Sequence, residues 1–159
     1  MRYNFLPSFV RRKGRITKLQ ERNLNFLKDY LIKDSSTLND NRSFDKTALE
    51  IGFGNGEDFF SFAKEKNNTL FLASEVYKSG IGNLIGKIRE HSLENICIYE
   101  GDIRDLIFEE EGFRFDEVYI ICPDPWPWIW TNYINFIKSK TFFFKDKISY
   151  VPFINANIF

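Results

Sequence analysis

The sequence predicts an α/β fold, a parallel sheet with helices on both faces. Three observations predict it. Short apolar runs alternate with helical patterns from residue 48 to residue 121. A glycine-rich turn, Gly52, Gly54 and Gly56, joins the first of these runs to the helix that follows. An acid stands at or just beyond the end of each run: Glu50, Glu75, Asp102 and Asp124, about one strand–helix unit apart. Strands joined through helices pair in parallel by right-handed crossovers. Their carboxyl ends then share one edge, where ligands of open α/β sheets bind. The spacing therefore gathers the four acids around one crevice.

Each element has its own signal. Residues 8–15, SFVRRKGR, read as an extended basic segment. Thr17 and Gln20 then have capping-box spacing, and Leu24, Leu27 and Leu31 recur at helical intervals. This predicts one amphipathic helix ending near Lys33, followed by a polar linker over residues 34–45. Strands are expected at 48–52, 69–74, 96–99 and 117–121. Helices are expected at 57–66, with Phe59, Phe60 and Phe62 towards the sheet, and at 80–91, with Ile81, Leu84, Ile85 and Ile88 on one face. A short helical stretch is expected at 103–109. Three regions follow: an arm, helix and linker over 1–45, a sheet domain over 46–127, and an aromatic-rich tail over 128–159.

The 159 residues suit one domain with one core. Charges cancel in total, 22 basic against 22 acidic, but not locally. Residues 1–33 hold nine Lys/Arg and two acids, whereas residues 34–127 hold nine Lys/Arg and nineteen acids. A basic arm on an acidic body fits a polyanionic partner on the arm and a cationic or neutral ligand on the body; a solvated basic helix is the alternative. Cys97 and Cys122 form no CxxC pair and read as reduced thiols of a cytoplasmic protein. The N-terminus lacks the apolar core of a signal peptide, and no run is long enough for a membrane span. With His91 the only histidine, neither a metal cluster nor a Ser/His/Asp set is expected.

The glycine turn narrows the ligand. Its spacing is GxGxG, and Glu57 occupies the slot where a dinucleotide fingerprint has its third glycine. With Asp58 beside it, a pyrophosphate at this helix N-terminus would face two carboxylates. A cationic, phosphate-free nucleoside fits better, and S-adenosylmethionine is such a ligand. On this reading Glu75 accepts the ribose hydroxyls, Asp102 the adenine amino group, and Glu50 helps hold the loop and the methionyl ammonium side. The alternative is that the glycines only make a turn and the acids only cap helices. A nicotinamide dehydrogenase is disfavoured by the glycine spacing, the acidic loop and the basic arm.

Three segments together resemble the bacterial tRNA (guanine-N7)-methyltransferases: SFVRRKGRITKLQERNL (8–24), LEIGFGNGEDFFSFAK (49–64) and ICPDPWP (121–127). EVYKSGIGNLI (75–85) fits between them in order and spacing. The resemblance covers residues 1–127. It implies a Rossmann-like class I methyltransferase sheet, S-adenosylmethionine as cofactor, and tRNA as partner, methylated on a variable-loop guanosine. It implies a cofactor role for Glu50, Gly52, Gly54, Gly56, Glu75, Asp102 and Asp124, with Asp124 also catalytic. The basic signature makes Arg11, Arg12, Lys13, Arg15 and Lys18 candidate RNA contacts. Trp126 is either a platform for a splayed base or ordinary packing.

After Pro127 the resemblance stops. The basic run expected there is replaced by a stretch in which ten of 32 residues are aromatic and one is acidic. The class implied has seven strands, and 38 residues after Ile121 leave little room for three more with their crossovers. The sheet is therefore expected to be incomplete on its C-terminal side, as in a truncated or frameshifted copy. The competing functional expectation is an RNA- or nucleoside-binding remnant without turnover.

Overall fold

The computed structural model describes residues 14–39, 43–109, 112–121, 142–143 and 148–151. Arg11, Arg12, Lys13, Asp124 and Trp126 lie outside the described residues. The central sheet contains β1 (Lys46–Ile51), β2 (Thr69–Glu75), β3 (Ile96–Glu100), β5 (Glu117–Ile121) and β7 (Ile148–Val151). Its order is β3-β2-β1-β5-β7, and every pairing is parallel. A two-residue strand β4 (Arg114–Phe115) pairs in parallel with β6 (Phe142–Phe143). The helices are α1 (Lys18–Leu24), α2 (Ser36–Asn39), α3 (Glu57–Glu65), α4 (Lys78–His91) and α5 (Ile103–Glu109).

Burial follows from this layering. TLFLASE, the whole of β2, is buried, as a strand flanked on both sides and covered on both faces must be. Alternate residues of β1 feed two cores. Leu49 and Ile51 join Leu38 of α2 and Ile103 and Ile107 of α5. Ala48 joins Phe59, Phe60 and Ala63 of α3 and Ile81, Leu84, Ile85 and Ile88 of α4. The apolar faces predicted for both helices are thus the buried ones. The chain runs β1, β2, β3 towards one side, then returns to place β5 on the other side of β1. The switch point between β1 and β5 is where an open α/β sheet binds its ligand.

Two expectations need correction. The N-terminal helix does not run to Lys33. α1 ends at Leu24, a 3₁₀ turn covers Leu27–Asp29, and Leu31 bridges to Ile98 in parallel. The Ile98 amide donates to the Tyr30 carbonyl at 2.7 Å, and Ile32 donates to Ile98 at 3.0 Å. The edge strand β3 needs partners for its exposed backbone groups, and this demand overrides helical periodicity. Nor is the 34–45 segment a plain linker, because it includes α2, whose Leu38 is buried against the sheet.

The tail contributes to the sheet. Ile148–Val151 pairs with Val118–Ile121. One of the three further strands expected for the class is therefore present among the described residues, and the described sheet holds five of seven.

Candidate functional site

The carboxyl ends of β1, β2 and β3 are stitched together. The Gly52 amide donates to the Ser74 carbonyl at 2.8 Å and the Gly101 amide to the Glu75 carbonyl at 3.0 Å. The Ser74 hydroxyl donates to Gly101 O at 2.9 Å. Glu50, Glu75 and Asp102 therefore sit on one sheet edge, as their spacing predicts. All three are buried. Glu50 pairs in register with Ala73 and with Tyr119, two residues before the end of β5.

The loop after β1 depends on its glycines. Gly52, Gly54 and Gly56 have φ of +73°, +59° and +78°, left-handed conformations that side chains with a Cβ resist. Phe53 turns inward between them and stacks on Phe59. Gly56 caps α3 without a side-chain bond, and Glu57 and Asp58 occupy the first helical turn, both exposed. The carboxylates that argue against a pyrophosphate are in place at this helix N-terminus.

Glu75 is held by the loop itself. Gly54 N donates to one carboxylate oxygen at 2.6 Å; Val76 N and Tyr77 N donate to the other at 2.7 and 3.0 Å. Three backbone amides fix the carboxylate, and amide bonds to a charged group are strong. Asp102 is held differently. Its carboxylate accepts from Arg104 Nε at 3.0 Å and from an Arg104 terminal nitrogen at 2.6 Å, and it caps α5 by accepting from Arg104 N at 3.1 Å. Nothing in the sequence pattern singles out Arg104 for this part.

The structure adds further residues to this edge. A Cβ on Gly80 would collide with the Gly54 carbonyl oxygen, so Gly80 lets α4 close against the glycine loop. Asn83 Nδ2 donates to Asn55 O at 2.8 Å, tying the loop tip to α4. The signal is available in EVYKSGIGNLI, where two glycines and an asparagine follow the acid at helical spacing.

The basic arm leads to the same edge. α1 begins in the predicted capping box: Thr17 Oγ1 accepts from Gln20 N at 3.2 Å, and Gln20 Oε1 accepts from Thr17 N at 2.9 Å. It lies against α4, where Asn23 Nδ2 donates to Gly82 O at 2.9 Å. A Cβ on Gly82 would stand 2.6 Å from the Gln20 carbonyl oxygen, so the helices meet backbone to backbone. Gly14 rests on the ring of Tyr77, close to the N-terminus of α4, and Arg15 and Lys18 are exposed beside it. No group of three or more potential metal ligands occurs among the described residues, and no described helix is long and apolar enough to cross a membrane.

Residues 45–129 match a family model described as "putative methyltransferase". The chain is 39% identical over 128 residues to a tRNA (guanine-N(7)-)-methyltransferase of Nitrosococcus oceani, covering 77% of this chain and 54% of that protein. It is 33% identical over 147 residues to a "bifunctional methyltransferase" of Rickettsia conorii, covering 91% of this chain and 26% of the other. Among solved structures, an rRNA methylase from Streptococcus thermophilus aligns with TM-score 0.47 and 15% identity, over 81% of this chain and 68% of that one. The chain thus spans about half of the first relative's length and a quarter of the second's.

Proposed function

Since the chain belongs to the methyltransferase family matched by residues 45–129, we propose that it binds S-adenosylmethionine at the β1/β5 switch point and directs its methyl group to N7 of a variable-loop guanosine in tRNA. One observation carries the reading: Glu75, fixed by three backbone amides, adjoins a glycine loop whose next two residues are acidic. A carboxylate so oriented at the sheet edge keeps acceptor capacity for the ribose of a nucleoside, and the acidic helix start selects against a pyrophosphate. Gly52, Gly54 and Gly56 give the cofactor its backbone cradle, and Glu50 supports the loop from the buried end of β1. Asp102, held by Arg104, accepts the adenine amino group. The similarity to a tRNA (guanine-N(7)-)-methyltransferase supports the choice of acceptor.

The chemistry asks little of a base. S-adenosylmethionine supplies an electrophilic methyl group on a sulfonium. Guanine N7 would take that methyl group with its in-plane lone pair as the methyl–sulfur bond breaks and S-adenosylhomocysteine leaves; no proton is lost, so alignment matters more than proton removal. The base becomes cationic, and Asp124 is assigned the part of stabilising that charge and accepting from the guanine N1–H and amino group. Pro123 and Pro125 restrict the backbone on either side of it. Arg11, Arg12, Lys13, Arg15 and Lys18 contact tRNA phosphates, and Trp126 stacks on the extruded base. A cytoplasmic location follows from this substrate.

Calorimetry tests the cofactor: S-adenosylhomocysteine binds and NAD binds far more weakly, whereas a preference for NAD overturns the reading. Methyl transfer to unmodified tRNA, read as N7-methylguanosine after hydrolysis, tests the reaction. The aromatic composition of residues 128–159 favours a second outcome, binding of both ligands with turnover far below that of a full-length relative.

A further inference from the structure

The basic arm and the cofactor carboxylate meet at one residue, Tyr77. Its backbone amide donates to Glu75 Oε1 at 3.0 Å. Its ring lies against Gly14: a Cβ there would stand 2.5 Å from the hydroxyl oxygen and 2.9 Å from ring carbon Cε2. The ring also borders Gly80, where a Cβ would be 3.3 Å from Cδ1. Gly80 in turn touches the carbonyl of Gly54, whose amide holds the other Glu75 oxygen. A path of touching groups thus runs from the arm, through one half-buried aromatic ring, to both oxygens of the carboxylate. The segment that carries Gly14 leads into α1, which the Asn23–Gly82 bond and the close approach of Gly82 to Gln20 fasten to α4.

We propose that Tyr77 is a positioning residue that couples RNA binding on the arm to cofactor binding at Glu75. The inference rests on the proposed function for both ligands. Phosphates engaging Arg15 and Lys18 fix the segment that carries Gly14. Fixing Gly14 holds the Tyr77 ring, and with it the turn whose amide orients Glu75. Each ligand then binds more tightly when the other is present, and linkage makes the factor equal in both directions. Gly14 belongs to this device because only a residue without a Cβ lets the ring lie on the backbone.

The test is S-adenosylhomocysteine calorimetry with and without saturating unmodified tRNA, a pair that binds without turning over. In the wild-type protein tRNA tightens S-adenosylhomocysteine binding by about fivefold or more, the lower range of ordinary coupling. Tyr77→Ala and Gly14→Ala each lower that ratio at least about threefold, leaving what direct contact between the ligands provides. Tyr77→Phe keeps the ratio, because the ring remains. The tRNA affinity measured with and without S-adenosylhomocysteine must show the same changes. A thermal melt confirms that each variant is folded, and two independent substitutions guard against one that is not. Wild-type coupling in both folded variants overturns the proposal while leaving the functional reading intact, as does a ratio of one in a protein that binds both ligands. A protein that binds neither ligand overturns the functional reading itself.

Discussion

Glu75 and Glu117 are both buried carboxylates on the same sheet, with different prospects. Glu75 stands at the carboxyl edge and is held by three backbone amides, which fix its orientation there. Glu75→Ala is expected to weaken S-adenosylhomocysteine binding by about 1.5–3 kcal/mol, the scale of hydrogen bonds to a charged group. An unchanged calorimetric affinity would remove Glu75 from the site. Glu117 stands at the opposite, amino end of β5. It is held by Lys46 at 2.9 Å, by Lys66 at 3.5 Å and by the Tyr119 hydroxyl. Burial alone would raise its pKa. The Lys46 hydrogen bond and the Lys66 and Lys46 charges outweigh that and hold it below the ordinary glutamate value. A lowered folded pKa gives stability that is present above the unfolded value of about 4.3 and lost as pH falls through the folded one. Glu117→Gln should therefore cost about 1–2 kcal/mol at pH 7. The gap between the two urea unfolding curves should narrow below about pH 4, where the unfolded carboxylate takes up its proton; a gap that widens there contradicts the assignment.

Between elements, the α1/α4 contact decides where the arm lies. The helices approach so closely at Gly82 that a side chain has no room, and the obstacle is the Gln20 backbone rather than a movable tip. Gly82→Val is expected to cost about 1–3 kcal/mol by overpacking. The cost should appear locally: amides of Lys18–Leu24 exchange faster with solvent while those of β2 keep their protection. Uniform loss of protection would mean that α1 is part of the cooperative core rather than an attachment to it. The same contact explains why a helix of seven residues persists at all. Alone it is too short to be stable, so its capping box and its seat on α4 must hold it.

Across the whole molecule, charge is segregated in sequence, and the described start of the basic arm reaches the carboxyl edge. The arm meets the acidic body next to Glu75, where Gly14 touches Tyr77. A polyanion held by the arm is thereby brought to the crevice rather than to a remote face. Neutralising Arg11, Arg12, Lys13, Arg15 and Lys18 together should weaken tRNA binding and flatten its salt dependence. The logarithmic slope should fall by about 0.9 for each duplex phosphate that is no longer neutralised. If the slope keeps its value, the arm is a solvated lead-in to α1. At this scale β7 also matters. It covers β5, which would otherwise be the sheet edge next to the switch point.

What the sequence determined by itself was periodic or local. Strand β5 and helix α5 fall on their predicted bounds, and the buried faces of α3 and α4 are the predicted ones, because apolar spacing reports directly on one-sided burial. The acid at each strand end placed Glu50, Glu75 and Asp102 on one edge, because parallel strands must share their polarity. What only the tertiary structure decided depends on partners far away in the chain. Leu31 left its helix to serve the edge of β3, and Ile148–Val151 became a strand because β5 offered unpaired backbone. Tyr77 became the meeting point of arm and crevice through a glycine far upstream, Gly14. Backbone hydrogen-bond demand and close packing between distant segments leave no period in a sequence, so they become legible only when the chain has folded.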